Sequence, residues 1–473
     1  MRLRQRIVTL VAQELNILLL TPYGGGNLGD AAIQDAVICH FRKRLSKPRL
    51  RLVTLAPRIT SELHGLPAFP IASSVCDLEA PSASSSHPAP SGRRSSGSGF
   101  KQMVKQHLPF ASWLGSVIAA TRRTIYGAFS PLRRGWRELG HVLQVYRLLK
   151  DTDLLVMSGG GQIDDYWGGA FGQPYALFKW ASLARFTRTP VIFLSVGVCS
   201  LGSRLGRRFA REALRLAAYR SYRDHGSKEL LHEAGFTRND PEYPDLAFSH
   251  PCAQQPPPFL REPGPEKSVI GVSPIAYLSP RAWPERDQAV YDGYLQVLGE
   301  FTAKLLDAGH TVVLFTTSLM DQFAVEDLRE KLRQNPASES WGGRLRRVEQ
   351  TCLDRQLEEI REMDLIVASR LHGIILAHLL GKPALAISYD RKVRAHMEAM
   401  AQERFCLDLR DCTATQLWDG FTGLGRGAAL ISTGLRSKVE EFGQKLDVQY
   451  DLIMELAGQT AHARKQHPVM EAC

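Results

Sequence analysis

A chain of 473 residues, 44% hydrophobic and 23% charged, carries more apolar material than one core needs, so two domains with additions are expected and overall disorder is excluded. The net charge of +11 is concentrated: Ser91–Lys150 holds eleven Lys and Arg against one acid, Glu138, so the remainder is near neutral and nucleic acid is not an expected partner. Eight scattered cysteines without a CxxC pair or Cys/His cluster point to reduced thiols, a cytoplasmic protein and no metal site, and no run approaches the ~20 apolar residues of a membrane span.

After Arg2, Arg4 and Arg6 comes an apolar run too short for a signal-peptide core. Residues 16–21 (NILLLT) are predicted as a strand ending in the turn Tyr23-Gly24-Gly25-Gly26-Asn27-Leu28-Gly29-Asp30. Helical spacing of Ile33, Val37, Ile38 and Phe41 follows, then a second strand over 50–55, so the chain opens as a doubly wound sheet. Pro81 to Gly99 is rich in Ser, Pro and Gly, and Phe100 to Arg137 is basic and weakly amphipathic. Residues 78–137 therefore read as an insertion. They are either a solvated helical excursion or, with the rest of the 91–150 basic segment, a surface for peripheral contact with an anionic membrane or polysaccharide.

Alternation resumes with a strand over 153–157, the turn Ser158-Gly159-Gly160-Gly161, a helix over 174–186, a strand over 191–196, a helix over 205–218 and a strand over 220–222. Five prolines between Pro256 and Pro265 mark a linker. A second series follows, with strands at 269–273, 311–315, 345–348, 364–368 and 384–388. Its helices are expected over 288–308, 322–332, 355–361 and 370–380, and from 392. The expected fold is α/β, with two Rossmann-like domains (1–254 and 267–410) in a GT-B-like arrangement. A 255–266 linker joins them, a helical extension (411–473) follows, and the ligand cleft lies outside the carboxyl ends of the strands.

The segment Ser369-Arg370-Leu371-His372-Gly373 falls where a strand gives way to a helix. Ser369 is placed to cap the first turn, whose N–H groups and dipole favour an anion. Arg370 adds a bidentate fork for phosphate or carboxylate, and a helix N-terminus disfavours imidazolium, which leaves His372 available as a base. A capped helix with a polar first turn is the structural alternative. The glycine turn Gly24–Asp30 could cradle a phosphate or be a tight structural turn; it lacks the spacing of a P-loop or dinucleotide fingerprint. Asp164 or Asp165, after Gly159-Gly160-Gly161, could orient a sugar hydroxyl, act as a base or be a solvated carboxylate. Arg223 is either a second anion clamp or half of a surface pair with Asp224. Lys392 is a cleft cation or a solvated helix start, and His378 is read as structural.

Together these segments resemble the polysaccharide pyruvyl transferase family: G-N-L-G-D (Gly26–Asp30), S-G-G-G (Ser158–Gly161) with Asp164, R-D-x-x-S (Arg223–Ser227), S-R-L-H-G (Ser369–Gly373) and S-Y-D-x-K-V (Ser388–Val393). The resemblance covers about 16–408, apart from the 78–137 insertion. It implies phosphoenolpyruvate as donor substrate with no further cofactor, a saccharide or lipid-linked saccharide as acceptor, and a pyruvate ketal and phosphate as products. It implies His372 and Asp164 as the catalytic pair. Arg370, Leu371, Arg223, Lys392, Gly26, Asn27, Asp30, Gly160 and Gly161 would be the binding residues. Exopolysaccharide synthesis at the inner face of the membrane is the matching setting. Two rivals share these observations: a GT-B glycosyltransferase using a nucleotide sugar, which needs a ribose-binding acid for which only Glu398, a weak candidate, follows S-R-L-H-G, and a non-catalytic adaptor of a polysaccharide assembly.

Overall fold

Two six-stranded parallel sheets organise the chain in the computed structural model, which describes residues 14–74, 134–254, 268–349 and 352–466. The 255–266 linker and all of the 78–137 insertion but its last four residues lie outside the described residues. Among the described residues, 14–71 and 148–466 form one compact unit that carries both sheets, and 72–147 forms a second. Within the second, Ser73 Oγ donates to Glu138 Oε2 at 2.6 Å.

The first sheet contains β1 (Asn16–Leu20), β2 (Arg49–Thr54), β3 (Ala68–Pro70), β4 (Leu154–Ser158), β6 (Val191–Val196) and β8 (Tyr219–Tyr222), in the order β3-β2-β1-β4-β6-β8. A two-stranded ribbon, β5 (Ile163–Asp164) with β7 (Val198–Ser200), stands beside it. The second sheet runs β11-β10-β9-β12-β13-β14, from β9 (Val269–Ser273), β10 (Thr311–Leu314), β11 (Leu345–Arg347), β12 (Leu365–Ala368), β13 (Ala384–Ser388) and β14 (Cys406–Asp408). Their sequences read as near-continuous apolar runs because parallel strands are covered on both faces; every residue of β4, β6, β12 and β13 is buried. Pro70 closes β3, an edge strand, where a missing N–H is tolerated.

The helices are α1 (Leu28–Arg44), α2 (Pro57–His64), α3 (Gln173–Phe186), α4 (Arg204–Leu216), α5 (His225–Glu233), α6 (Gln288–Asp307), α7 (Gln322–Arg333), α8 (Leu353–Glu362), α9 (Leu371–Leu379), α10 (Arg391–Ala399), α11 (Ala414–Arg426) and α12 (Ala428–Gln466), with a further helix over 134–150. Among the described residues no helix is long and apolar enough to cross a membrane. In each sheet the strand order reverses beside the first strand, at β1/β4 and at β9/β12. These reversals open the crevices in which doubly wound sheets bind ligands.

Helix α12 belongs to the C-terminal part of the chain but packs on the N-terminal sheet. Buried Gln449 donates to Ser221 Oγ at 2.6 Å and accepts from Ser195 Oγ at 3.0 Å. Tyr450 stacks on His40 with ring centroids 4.3 Å apart, and Arg44 of α1 reaches Asp447 and Asp451 at 2.7 and 2.8 Å. The helix therefore ties the two sheets together.

Candidate active site

The loops at the two reversals meet. Asn27 caps α1, accepting from Gly29 N at 3.0 Å and donating to Asp30 Oδ2 at 2.8 Å. The turn also bonds to the other half: Leu28 N donates to Thr317 O at 2.9 Å, and Leu319 N donates to Gly26 O at 2.8 Å. The amides of Leu28 and Gly29 are thereby committed, which corrects the expectation of a phosphate cradle at these two positions; the loop after β10 supplies a carbonyl there. What the turn positions is Asp30 and the bare backbone of Gly29.

A Cβ on Gly29 would lie 1.9 Å from His372 Cγ, 2.1 Å from its Nδ1 and 2.3 Å from its Cβ. The imidazole of the α9 first turn thus rests directly on the first turn of α1. Burial, assisted by Arg223, Lys392 and Arg370 and opposed by Asp245, pushes His372 down to about 4, so the ring is neutral at physiological pH. Its Nε2 is buried without a hydrogen-bond partner among the described residues and lies 4.0 Å from Asp245 Oδ2.

Helix α9 starts one residue later than the sequence reading places it. Ser369 N still pairs with Ser273 O, extending the β12–β9 ladder, and Ser369 Oγ bonds Tyr294 OH at 2.8 Å. Arg370 becomes the N-cap residue with no side-chain cap, so the predicted Ser369 cap is absent. The Arg370 fork, expected to face a ligand, instead holds fully buried Asp321 through two bonds of 2.7 Å. Burial opposes its charge, but Asp321 and Tyr389 outweigh it and keep the guanidinium protonated.

Arg223 is buried rather than paired at the surface. It lies across Gly197, where a Cβ would meet Nη2 at 2.7 Å, and bonds Asp245 at 3.1 Å and Asp224 at 3.3 Å. Lys392, in the first turn of α10, has the loosest partner of the three cations, Asp390 at 3.7 Å. Burial opposes its charge, while Tyr389, Cys199 and Asp390 hold the ammonium protonated.

Three carboxylates separate by environment. Asp30 is pushed up to about 7 by burial and by Asp245, against the pull of Arg223, Arg370 and Lys392. Its Oδ1 lies against Gly160, which adopts φ 65° in the turn after β4; a Cβ there would approach Oδ1 to 3.2 Å. Asp164 is also raised by burial and accepts from Tyr166 N at 2.9 Å, on a strand whose partner, β7, brings Cys199 against Gly161. Asp165 accepts from Gly202 N, Ser203 N and Ser203 Oγ at 2.7–2.9 Å and is a structural residue. His378 is fully buried, with Nδ1 3.0 Å from His396 Nε2.

Around the uncapped turn of α9 stand further unpartnered groups. Ser273 Oγ, at the end of β9, and Thr317 Oγ1, after β10, are both buried with no hydrogen bond among the described residues, and both approach Gly373, at 3.7 and 3.9 Å from a Cβ placed there. A cavity of about 190 Å³ that reaches Leu371 of the same turn is lined also by Arg223, Asp245, Ile375, Lys392 and His396. A larger cavity of about 430 Å³, at the carboxyl end of α9, holds none of the motif residues.

The model of the polysaccharide pyruvyl transferase family matches residues 27–391. The chain belongs to that family. No curated protein matches it. Among solved structures, this pyruvyl transferase is similar to a Listeria monocytogenes protein described as a UDP-N-acetylglucosamine 2-epimerase, at 11% identity and TM-score 0.52 over 96% of this chain and 98% of that one. The UDP-GlcNAc 2-epimerase of Neisseria meningitidis bound to UDP-GlcNAc gives 11% identity and TM-score 0.50 over 93% and 100%. S. aureus MnaA with UDP gives 8% and 0.50 over 89% and 90%. At such identities the likeness establishes the GT-B-like fold alone.

Of the pyruvyl transferase's predicted residues, His372, Arg370, Leu371, Arg223, Lys392, Asp30, Asn27, Gly26, Gly160, Gly161 and Asp164 all come to the facing loops of the two sheets. Sequence reasoning missed Asp245, Asp321, Ser273 and Thr317. Ser273 and Thr317 carried a signal: each is a hydroxyl residue at or just past the carboxyl end of an apolar strand, the same rule that selected Ser369.

Proposed function

We propose that this polysaccharide pyruvyl transferase takes phosphoenolpyruvate as donor and builds a cyclic ketal on two hydroxyls of a sugar in a polysaccharide or its lipid-linked precursor. The observation that carries this reading is the set of unpartnered groups at the α9 N-terminus, Ser273 Oγ, Thr317 Oγ1 and His372 Nε2, beside protonated Lys392 and Arg223. They suit a phosphate on the first turn and a carboxylate at the cations. Arg370, neutralised by Asp321, is then a positioning residue.

The chemistry divides between the two groups that burial pushes in opposite directions. In the first step an acceptor hydroxyl oxygen bonds to C2 of phosphoenolpyruvate, neutral His372 takes the hydroxyl proton, and protonated Asp30 gives its proton to C3, which becomes the methyl group. In the second, the neighbouring hydroxyl attacks C2 and the C2–O bond to phosphate breaks. The Asp30 carboxylate takes that hydroxyl's proton, and the imidazolium returns its own to the departing phosphate, so both groups end as they began. Asp164 orients the acceptor.

A thermal-shift titration tests the donor. Phosphoenolpyruvate is expected to stabilise the protein, by about 2.7 kcal/mol at a hundredfold excess over Kd, and Lys392→Met is expected to lose most of that shift. Stabilisation by UDP-GlcNAc in place of phosphoenolpyruvate would overturn the reading for the glycosyltransferase. That rival shares the GT-B-like fold, but Glu398, its ribose-binding candidate, is exposed on α10.

Peripheral membrane contact is part of the same proposal. The helix over 134–150 exposes Trp136, Leu139, Leu143 and Tyr146 among Arg134, Arg137, Arg147 and Lys150. Co-sedimentation with phosphatidylglycerol vesicles that is undiminished in Trp136→Asp would sink it.

A further inference from the structure

Beyond the donor pocket, the cleft carries an aromatic wall that the reaction above does not use. Trp283 stands at its centre, with ring centroids 5.1 Å from Tyr277, 5.4 Å from Trp167, 5.9 Å from Tyr389 and 6.1 Å from Tyr166. Tyr166 and Trp167 follow Asp164 of the β5–β7 ribbon, whereas Tyr277 and Trp283 follow β9 and Tyr389 follows β13 of the second sheet. The two sets are joined by a bond from Glu285 N to Tyr166 OH at 3.3 Å. At its inner end the wall reaches the donor site, because Tyr389 lies 5.4 Å from the Lys392 ammonium and pairs with Arg370. At its outer end Trp167 remains 49% exposed.

Aliphatic residues would serve a wall that only closed a core. These five are Tyr and Trp, flat rings with polar tips, which suit a ligand with an apolar face and a hydroxylated rim. Asp164 stands next to them with Oδ1 engaged by Tyr166 N. Among the described residues the buried Trp283 Nε1 has no hydrogen-bond acceptor. Asp165 anchors the Asp164–Trp167 segment through three hydrogen bonds from Gly202 and Ser203.

Resting on the pyruvyl-transfer reading, we infer that this wall is the acceptor subsite: a pyranose lays its C–H face on Trp167, with its hydroxyl edge turned to Asp164 and the donor carbon. An aromatic residue at the mouth and another at the hub would let the site take a sugar that is part of a longer chain, because the outer end is open.

Saturation-transfer NMR on the full chain tests this with methyl β-galactopyranoside, methyl α-mannopyranoside and methyl N-acetyl-β-glucosaminide. Transfer is expected at the ring C–H protons of one face of at least one glycoside. It should fall about tenfold or more in Trp167→Ala and largely return in Trp167→Phe, which keeps a ring. The phosphoenolpyruvate thermal shift of Trp167→Ala should equal that of the unaltered protein. Absence of transfer from all three glycosides, or transfer undiminished in Trp167→Ala, overturns the inference. Transfer to the uracil protons of UDP that Trp167→Ala removes also overturns it, because the wall then holds a nucleotide base. Failure of the donor reading is separate: it appears as a missing phosphoenolpyruvate shift in the unaltered protein.

Discussion

Gly29→Ala is expected to lower phosphate release from phosphoenolpyruvate at least ~10³-fold while leaving both sheets folded. The added methyl group has nowhere to go: three atoms of His372, including its Cβ, lie within 2.3 Å of the methyl position. Because Cβ and Cγ are fixed close to the α9 backbone, the ring cannot escape by a distal rotation. Either the imidazole is expelled or α1 and α9 separate, which strains the paired bonds Leu28 N to Thr317 O and Leu319 N to Gly26 O. Overpacking of this kind costs about 1–3 kcal/mol, too little to unfold the chain. The double variant Gly29→Ala/His372→Gly separates the two effects. With the ring and its Cβ removed the clash goes, so its stability should recover to that of His372→Gly, whereas its activity should not. Additive stability losses across that cycle would show that Gly29 and His372 are not coupled, and the proposed seat of the imidazole would fall.

That contact also shows where reading the sequence stopped. The strands were legible because β1, β4, β9, β12 and β13 are buried on both faces, and the site residues were legible because they follow those strands. Nothing in G-N-L-G-D says that its glycine supports the histidine of S-R-L-H-G, 343 positions later, because the pairing is made by the docking of two sheets. The Arg370 fork looked free because its partner, Asp321, sits in a short turn before α7 that carries no pattern of its own. Ser369 looked like a cap because local rules stop a strand at its last apolar residue, yet the ladder ran one residue further. The ribbon of β5 and β7 is two and three residues long, below any periodicity, although it places Asp164. Trp167, Trp283 and Tyr389 are far apart in sequence, and only their arrangement as one wall makes them informative.

Asp30→Asn is expected to separate activity from stability in opposite directions. As the acid that protonates C3, Asp30 must hold its proton, and burial gives it an apparent value of about 7. His372, pushed to about 4, is neutral throughout that range. The unaltered enzyme should therefore show a kcat/KM plateau between about pH 4 and pH 7 and a tenfold fall per unit above it. Asparagine can still meet the Asn27 amide but has no proton to give, so phosphate release should drop about 10²–10⁴-fold and the alkaline limb at pH 7 should vanish. Stability moves the other way. A folded-state value above the ordinary 3.8 means that the native protein binds the proton more tightly than the unfolded chain. Stability is then lost as pH rises from about 4 to about 7 and stays lost above. Asp30→Asn removes that penalty, so its thermal midpoint should exceed the unaltered protein's at pH 8 and match it near pH 4. About 4 kcal/mol is the upper limit of the gain, because the carboxylate keeps some contact with solvent. The separate titration of His372, which destabilises the native state as pH falls below its ordinary 6.5, is common to both proteins and cancels in the comparison. An alkaline limb that persisted in Asp30→Asn would assign the acid elsewhere, with Asp164 next in line. An equal midpoint at both pH values would show that Asp30 is ionised at neutrality and suited only to binding.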